Sequence, residues 1–257
     1  MNQSYLLTIV FSLVAITAVA KNSKVRSAVY EWTNLEVQKN EAAERMPILK
    51  GSTDGFEMLE VYAKSIAVGE VSAVQKVEAF EQLIIIKKGT LEMEINCEKR
   101  MLRPGSIAVV LAGDTHGIRN TGSIMATYFI LMWQIKNTGS PHDTSSTSAM
   151  VNWAEVKFES SAKGGRRNII RQPTSMLAEF EMHTTTLDEG MKSHDPHTHV
   201  EEEIILVRYG QVEELIDGFP HPAGPGSVIF LGSNIPHGIR NIGEGPCEYY
   251  AFKWKLR

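Results

Sequence analysis

Sliding the sequence against itself by 121 residues brings Pro104-Gly105-Ser106 onto Pro225-Gly226-Ser227, and His116-Gly117-Ile118-Arg119-Asn120 onto His237-Gly238-Ile239-Arg240-Asn241. The same offset pairs, without a gap, Trp32 with Trp153, Arg45 with Arg166, Gly69 with Gly190, Gly89 with Gly210, Tyr128 with Tyr249 and Trp133 with Trp254. Agreement at so many Gly, Pro, Trp and His positions requires two copies of one unit. A chain of 257 residues then divides into two domains of ordinary size rather than one large core. The polar stretch 137–148, NTGSPHDTSSTS, has the composition of a linker, which places the domains at 21–136 and 149–257.

Within each copy, short apolar runs are broken by Gly, Pro and Asn: Leu83 to Ile86, Ile107 to Leu111, Ile204 to Val207 and Val228 to Leu231. Runs of this length, rich in Ile and Val, read as strands of a sandwich or barrel, and no segment keeps a helical period with caps. Glu92 to Asn96 and Glu213 to Asp217 fit the second strands of hairpins that turn at Gly89 and Gly210. The expected fold is all-β, two tandem jelly-roll barrels.

Residues 1–20 stand outside that pattern. Positions 5–20 hold apolar residues and small hydroxyls and end Ala18-Val19-Ala20, a small-x-small pattern that signal peptidase accepts. They are read as an export signal, which places the mature protein in the periplasm or outside the cell, with no membrane span after cleavage. An uncleaved N-terminal anchor is the alternative, since Met1 to Ser4 carry no Lys or Arg. The formal net charge of -4, with Lys and Arg scattered, argues against a nucleic-acid partner. Cys97 and Cys247 are too few to make a disulfide scaffold and read as free thiols.

The chemistry lies in GMKSHDPHTHVEEEIILVRYG, residues 190–210. His197 and His199 are two apart, so on a strand both imidazoles project to one face. Glu203 has the same parity but would lie about 13 Å from His199 on a straight strand, so a turn through Val200 to Glu202 must bring it back. His237 arrives from the later segment, where Gly232, Asn234 and Pro236 supply a tight loop. Three imidazoles and one carboxylate suit a borderline divalent ion such as Mn, Fe, Ni, Cu or Zn rather than calcium.

At these residues the sequence resembles the cupin superfamily. Gly190, His197, His199, Glu203 and Gly210 match its first motif, G-x(5,6)-H-x-H-x(3,4)-E-x(6)-G, position by position. Gly226, His237 and Asn241 match its second, with Gly232 and Asn234 where the family usually has Pro and Gly. In the first copy the ligand positions hold Lys76, Glu78, Gln82 and His116. A lysine ammonium has no free lone pair and repels a cation, so the first copy is read as a degenerate site with Lys76 paired to Glu78. Because the turns and the His-Gly-Ile-Arg-Asn segment persist there, Arg240 and Asn241 are assigned to the scaffold. His194, Glu201, Glu202 and Arg208 are expected to be solvated charges.

On the last strand, alternation puts Tyr249, Ala251 and Lys253 on one face and Tyr250, Phe252 and Trp254 on the other. If the first set faces the interior, Tyr249 and Lys253 are the candidate catalytic residues, orienting a carboxylate or moving a proton. The layout is similar to that of ureidoglycine aminohydrolases, two-cupin enzymes that depend on manganese, carry it in the second cupin and place a Tyr and a Lys at these positions. That resemblance implies manganese as the first metal and ammonia release from a small acid. It departs at the ligands, where that family has Glu and Gln in place of His197 and His237. Three readings follow: a metal-dependent hydrolase, lyase or isomerase acting on a small polar acid, an iron or copper dioxygenase, and a non-catalytic binder of a sugar or small acid. The partner in each is a small molecule, and pairing of two copies is left open.

Overall fold

A computed structural model describes residues 23–39, 43–136 and 145–257. The expected signal segment 1–20 and positions 137–144 of the linker lie outside the described residues. Two 3-10 turns, Trp32–Asn34 and Trp153–Glu155, are the helical elements among them, and strands dominate the rest. No described helix is long and apolar enough to cross a membrane.

The apolar runs form strands as expected, at Glu81–Lys88, Ile107–Val110, Glu203–Tyr209 and Val228–Leu231. Each copy folds into a large and a small antiparallel sheet, the two layers of a jelly roll. In the second copy the large sheet runs Val228–Leu231, Glu203–Tyr209, Cys247–Leu256, Leu177–Leu187, Gly164–Gln172 and Glu159–Ser161 in spatial order. The small sheet has Phe219–Ala223, Val212–Ile216 and His237–Asn241.

Sheet membership crosses the division drawn at residue 149. The strand Ala28–Tyr30 pairs with Val228–Phe230 at the edge of the second barrel's large sheet. Ala149–Val151 pairs in the same way with Ile107–Val109 of the first barrel. Each copy therefore lends its leading strand to the other, which covers an edge that would otherwise expose unpaired backbone groups. The turn after each lent strand docks by the same contacts. Trp153 N–H donates to Ser106 Oγ and Trp32 N–H to Ser227 Oγ. A Cβ on Gly105 (φ +99°) would stand 2.5 Å from the Trp153 ring, and one on Gly226 (φ +91°) 2.8 Å from Trp32. The Pro-Gly-Ser and Trp identities that reveal the duplication are thus two ends of one contact made twice.

Between the barrels the large sheets share a single apolar core, in which Phe56, Trp133, Phe180 and Trp254 stack at centroid separations of 4.8–6.3 Å. Tyr250, Phe252 and Trp254 face this shared core, while Tyr249 and Ala251 face the interior of the second barrel. Two buried carboxylates fasten the barrels. Glu202 accepts from the Thr53 hydroxyl at 2.7 Å and from the Asp54 and Gly55 amides at 2.8 and 3.2 Å. Glu81, its equivalent, accepts from the Thr174 hydroxyl, the Trp133 indole and the Met176 amide at 2.6, 3.0 and 3.2 Å.

Candidate metal centre

The first barrel has a fourth strand in its small sheet, Val71–Lys76, hydrogen-bonded to Thr115–Asn120. In the second barrel the corresponding stretch keeps only two isolated bridges, Lys192 to Arg240 and His197 to His237. Ser193-His194-Asp195-Pro196 interrupts the pairing, because Pro196 has no N–H to give a ladder and a fixed φ. His197 and His199 therefore sit on a loop rather than the expected strand. They are held by reciprocal backbone bonds between His197 and His237, both 3.0 Å, and by the Asn234 amide donating to the His199 carbonyl at 2.8 Å. Asn234 adopts φ 59°, a left-handed conformation that Asn tolerates.

This loop brings the three imidazoles together. Their centroids are 4.5 Å (His197–His237), 4.8 Å (His199–His237) and 5.3 Å (His197–His199) apart, and one nitrogen from each falls within 4.8 Å of the others. Such a cluster can hold a metal ion. Bends at Val200 and Glu201 return the chain so that Glu203 begins the next strand. Its Oε2 lies 3.1 Å from His199 Nε2 and 3.6 Å from His237 Nε2.

The protons on two rings are placed by the backbone. His199 Nδ1 lies 2.7 Å from the Glu201 carbonyl and His237 Nδ1 2.8 Å from the Ile235 carbonyl, so each Nδ1 carries the hydrogen and each neutral ring presents a lone pair at Nε2. The His237 Nε2 is buried and without a hydrogen-bond partner. Two lone pairs beside a carboxylate repel unless a proton or a cation lies among them. The electrostatics agree: the hydrogen bond to Glu203 raises His199. Burial pushes Glu203 upward, but the hydrogen bond of His199 and the proximity of both His199 and His237 outweigh it and hold the carboxyl at about 2. Burial and the neighbouring imidazoles lower His197.

The cluster lines a cavity of about 460 Å³, large enough for a small organic ligand. Tyr249 and Lys253 line the same cavity, as the alternation of the last strand requires. Burial pushes the Tyr249 phenol well above its ordinary range, so it stays neutral, beside Ser193 and Thr185. Lys253 pairs across the sheet with Glu203 and Glu181 but forms no ion pair within 4.0 Å among the described residues. Arg166 also lines the cavity, bound to Glu181 at 3.1 Å. The first copy repeats that pair as Arg45 and Glu60 at 2.6 Å, which marks it as part of the barrel.

Two further residues in the wall escape the motif reading. His183 is driven down to about 4, first by burial and then by the charge of Arg166. Glu214 is fully buried, and neither carboxylate oxygen has a hydrogen bond of ordinary geometry. Burial raises it to about 8, the charge of Glu203 adds to the rise, and the Gly238 N–H opposes both. At offset 121 their equivalents are Tyr62 and Met93, so comparison of the copies carried the signal. Because folded His183 titrates near 4 and a free histidine near 6.5, the unfolded chain binds the extra proton between those values. Stability conferred by this residue is present above pH 6.5 and lost as pH falls toward 4. Metal-free protein is expected to lose about 1–2 kcal/mol more than His183→Tyr between pH 7 and pH 5, measured by urea unfolding. Equal losses would show that His183 is not held neutral by the fold.

In the first barrel the equivalent wall is made of apolar and aromatic side chains. Tyr62, Met93, Ile130 and Met132 occupy the positions of His183, Glu214, Ala251 and Lys253, and they pack with the barrel's apolar interior. The Tyr62 hydroxyl and Met132 sulfur meet at 3.9 Å where His183 and Lys253 stand in the second copy. Lys76 pairs with Glu78 at 3.3 Å, both exposed, while Gln82 and His116 are buried. Asn241 binds the carbonyls of Leu187, Asp188 and Gly245, and Asn120 does the same to Ile66 and Ile124.

The expectation of solvated charges fails at two positions. Glu202 is the buried fastening described above, because alternation turns it toward the other barrel when Glu203 turns inward. Arg208 is ion-paired with Glu248 and lies 3.9 Å over the Trp153 ring, a cation–π contact made possible by the lent strand. Lys87 stands over Trp32 in the same way at 4.7 Å. His194 is exposed with its ring 4.2 Å from that of His197, and Glu201 is half-buried. Both thiols are free, Cys97 exposed and Cys247 buried.

No curated protein matches the sequence. Among solved structures, the chain is similar to a Pseudomonas aeruginosa protein named for its induction by glyoxylate, with TM-score 0.72 and 15% identity over 100% of this chain and 94% of the other. It is similar to an oxalate decarboxylase variant from Bacillus subtilis, with TM-score 0.68 and 10% identity, covering 93% and 80%. AerE from Microcystis aeruginosa matches with TM-score 0.67 and 18% identity, covering 86% and 96%. Residues 183–253, which span every motif residue of the second barrel from His197 to Asn241, match the family described as Cupin domain. The second barrel is therefore a cupin domain, and the chain has the two-barrel fold of the cupin superfamily.

Proposed function

We propose that the second barrel is the active one and that His197, His199, His237 and Glu203 hold a divalent transition metal there. The observation that carries this reading is the convergence of three imidazoles whose Nε2 or Nδ1 atoms lie within 4.8 Å of one another at the wall of a cavity. Two of those rings are already fixed in the ligating tautomer by backbone carbonyls. Manganese is the first ion to test, on the resemblance to two-cupin aminohydrolases, with iron, nickel, copper and zinc compatible with the same donors. A bound ion of this kind supplies Lewis acidity, polarising a carbonyl or lowering the pKa of water.

The substrate in this reading is a small polar acid. Lys253, unpaired among the described residues, provides a positive charge in the cavity for a carboxylate, and the neutral Tyr249 phenol provides a hydrogen-bond donor. Two structural neighbours are named for small carboxylic acids, oxalate and glyoxylate. The reaction class proposed is hydrolysis, elimination or isomerisation rather than oxygenation. With residues 1–20 read as an export signal, the protein would act in the periplasm or outside the cell.

Metal analysis of protein purified without added metal tests the reading, beside a His197→Ala/His199→Ala variant. The wild type is expected to carry about one equivalent and the variant essentially none, since it removes two of four donors. Equal metal in both would sink the proposed centre.

A further inference from the structure

Glu214 lies on the strand Val212–Ile216, in phase with Val212 and Ile216, which are buried in the barrel interior. Its side chain lines the cavity of the three histidines. Buried carboxylates that serve the fold in this protein are fully engaged: Glu202 accepts three hydrogen bonds from groups of the opposite barrel, and Glu81 accepts two from the opposite barrel and one from the Trp133 indole of its own. Glu214 is buried as deeply, yet neither oxygen has a partner of ordinary geometry. The fold does not need a carboxyl here, because Met93 fills the same position of the first barrel and packs in its core. An unpartnered buried polar group lowers stability, so its retention points to a partner that enters the cavity.

We propose that Glu214 is the specificity-determining residue of the second barrel, selecting small acids that carry a hydroxyl or N–H group over those that do not. It would form a hydrogen bond to that group while Lys253 faces the carboxylate. The inference rests on the reading of this cavity as a metal-dependent site for small acids. A site built around a buried hydrogen-bonding group discriminates against ligands that leave it unpaired, which sets the direction of the effect. In the first barrel Met93 and Met132 replace both anchors and pack with the apolar interior.

Calorimetric titration of manganese-loaded protein with lactate against propionate, and with glycolate against acetate, separates the possibilities. Each pair shares a carboxylate and differs in one hydroxyl. The wild type is expected to favour the hydroxy acid by at least about tenfold. In Glu214→Met, which installs the residue the first barrel already accommodates, the preference should fall below about threefold, with propionate and manganese affinities unchanged. Glu214→Gln keeps a hydrogen-bonding group and should keep part of the preference. A preference that survives in Glu214→Met overturns the proposal, because direct chelation of the metal would then be its source. Absence of any preference, or of any binding, in manganese-loaded wild type overturns it too, as does parallel loss of propionate binding in both variants. Failure of the wild type to bind manganese overturns the metal reading instead, and the same titrations on metal-free protein then decide Glu214 alone.

Discussion

Replacing Glu202 by alanine is expected to destabilise the protein by about 3–4 kcal/mol, and Glu81→Ala by a similar amount, read as a lower urea midpoint. The size follows from what each substitution strands. Without Glu202, the Thr53 hydroxyl and the Asp54 and Gly55 amides lose their acceptor at the junction of the barrels. Without Glu81, the Trp133 indole, the Thr174 hydroxyl and the Met176 amide lose theirs. Water cannot easily replace either carboxylate, since Glu81 and Glu202 are 0% and 4% exposed. The exposed Glu78→Ala is the control and should change stability by less than about 0.5 kcal/mol. A Glu202→Ala midpoint as close to wild type as that control would show that the junction is held by the apolar core alone. Glu202 also precedes the proposed ligand Glu203, so the first barrel, although it has lost the ligand set, grips the strand that presents the carboxylate.

The second large effect has the opposite sign. Glu214→Met is expected to stabilise the protein at pH 7 by about 2–3 kcal/mol, although it removes a hydrogen-bonding residue from the proposed site. The folded carboxyl is raised to about 8 against an ordinary value of 4.5. Between those values the folded state holds a proton that the unfolded chain releases, so stability is lost as pH rises through this window. The gain from Glu214→Met should therefore shrink to below about 1 kcal/mol at pH 5, which lies only about half a unit above the ordinary value of 4.5. Urea unfolding at pH 5 and pH 7 measures it, and a gain independent of pH would mean that Glu214 is not held neutral in the cavity. His183 acts in the reverse direction, since burial lowers a base where it raises an acid.

Much of the site was legible because its residues are local in sequence. His197, His199 and Glu203 lie within seven positions, and His237 follows from the turn residues before it. Their convergence still depended on a loop that the strand-parity argument did not describe. Pro196 breaks the pairing that Gln75 keeps in the first copy, and this irregularity lets the imidazoles meet. Glu214 was less visible because it sits in Glu213-Glu214, where either residue can be the outward one. Only the phase shared by Leu91, Met93 and Ile95 with Val212, Glu214 and Ile216 shows which points inward. Glu202 and Arg208 were misplaced because a charge in an alternating strand reads as solvated until a second barrel covers that face.

The sequence by itself determined the duplication, the all-β class and the asymmetry between a copy with four candidate metal donors and one without. These are properties of spacing and residue type, and period-2 alternation and turn chemistry act over a few residues. Only the tertiary structure decided that each copy lends its first strand to the other, that Glu81 and Glu202 fasten them, and that an unpartnered Glu214 shares a cavity with the histidines. Those outcomes rest on contacts between segments 50 to 200 residues apart, where burial and hydrogen-bond satisfaction depend on which face another part of the chain covers.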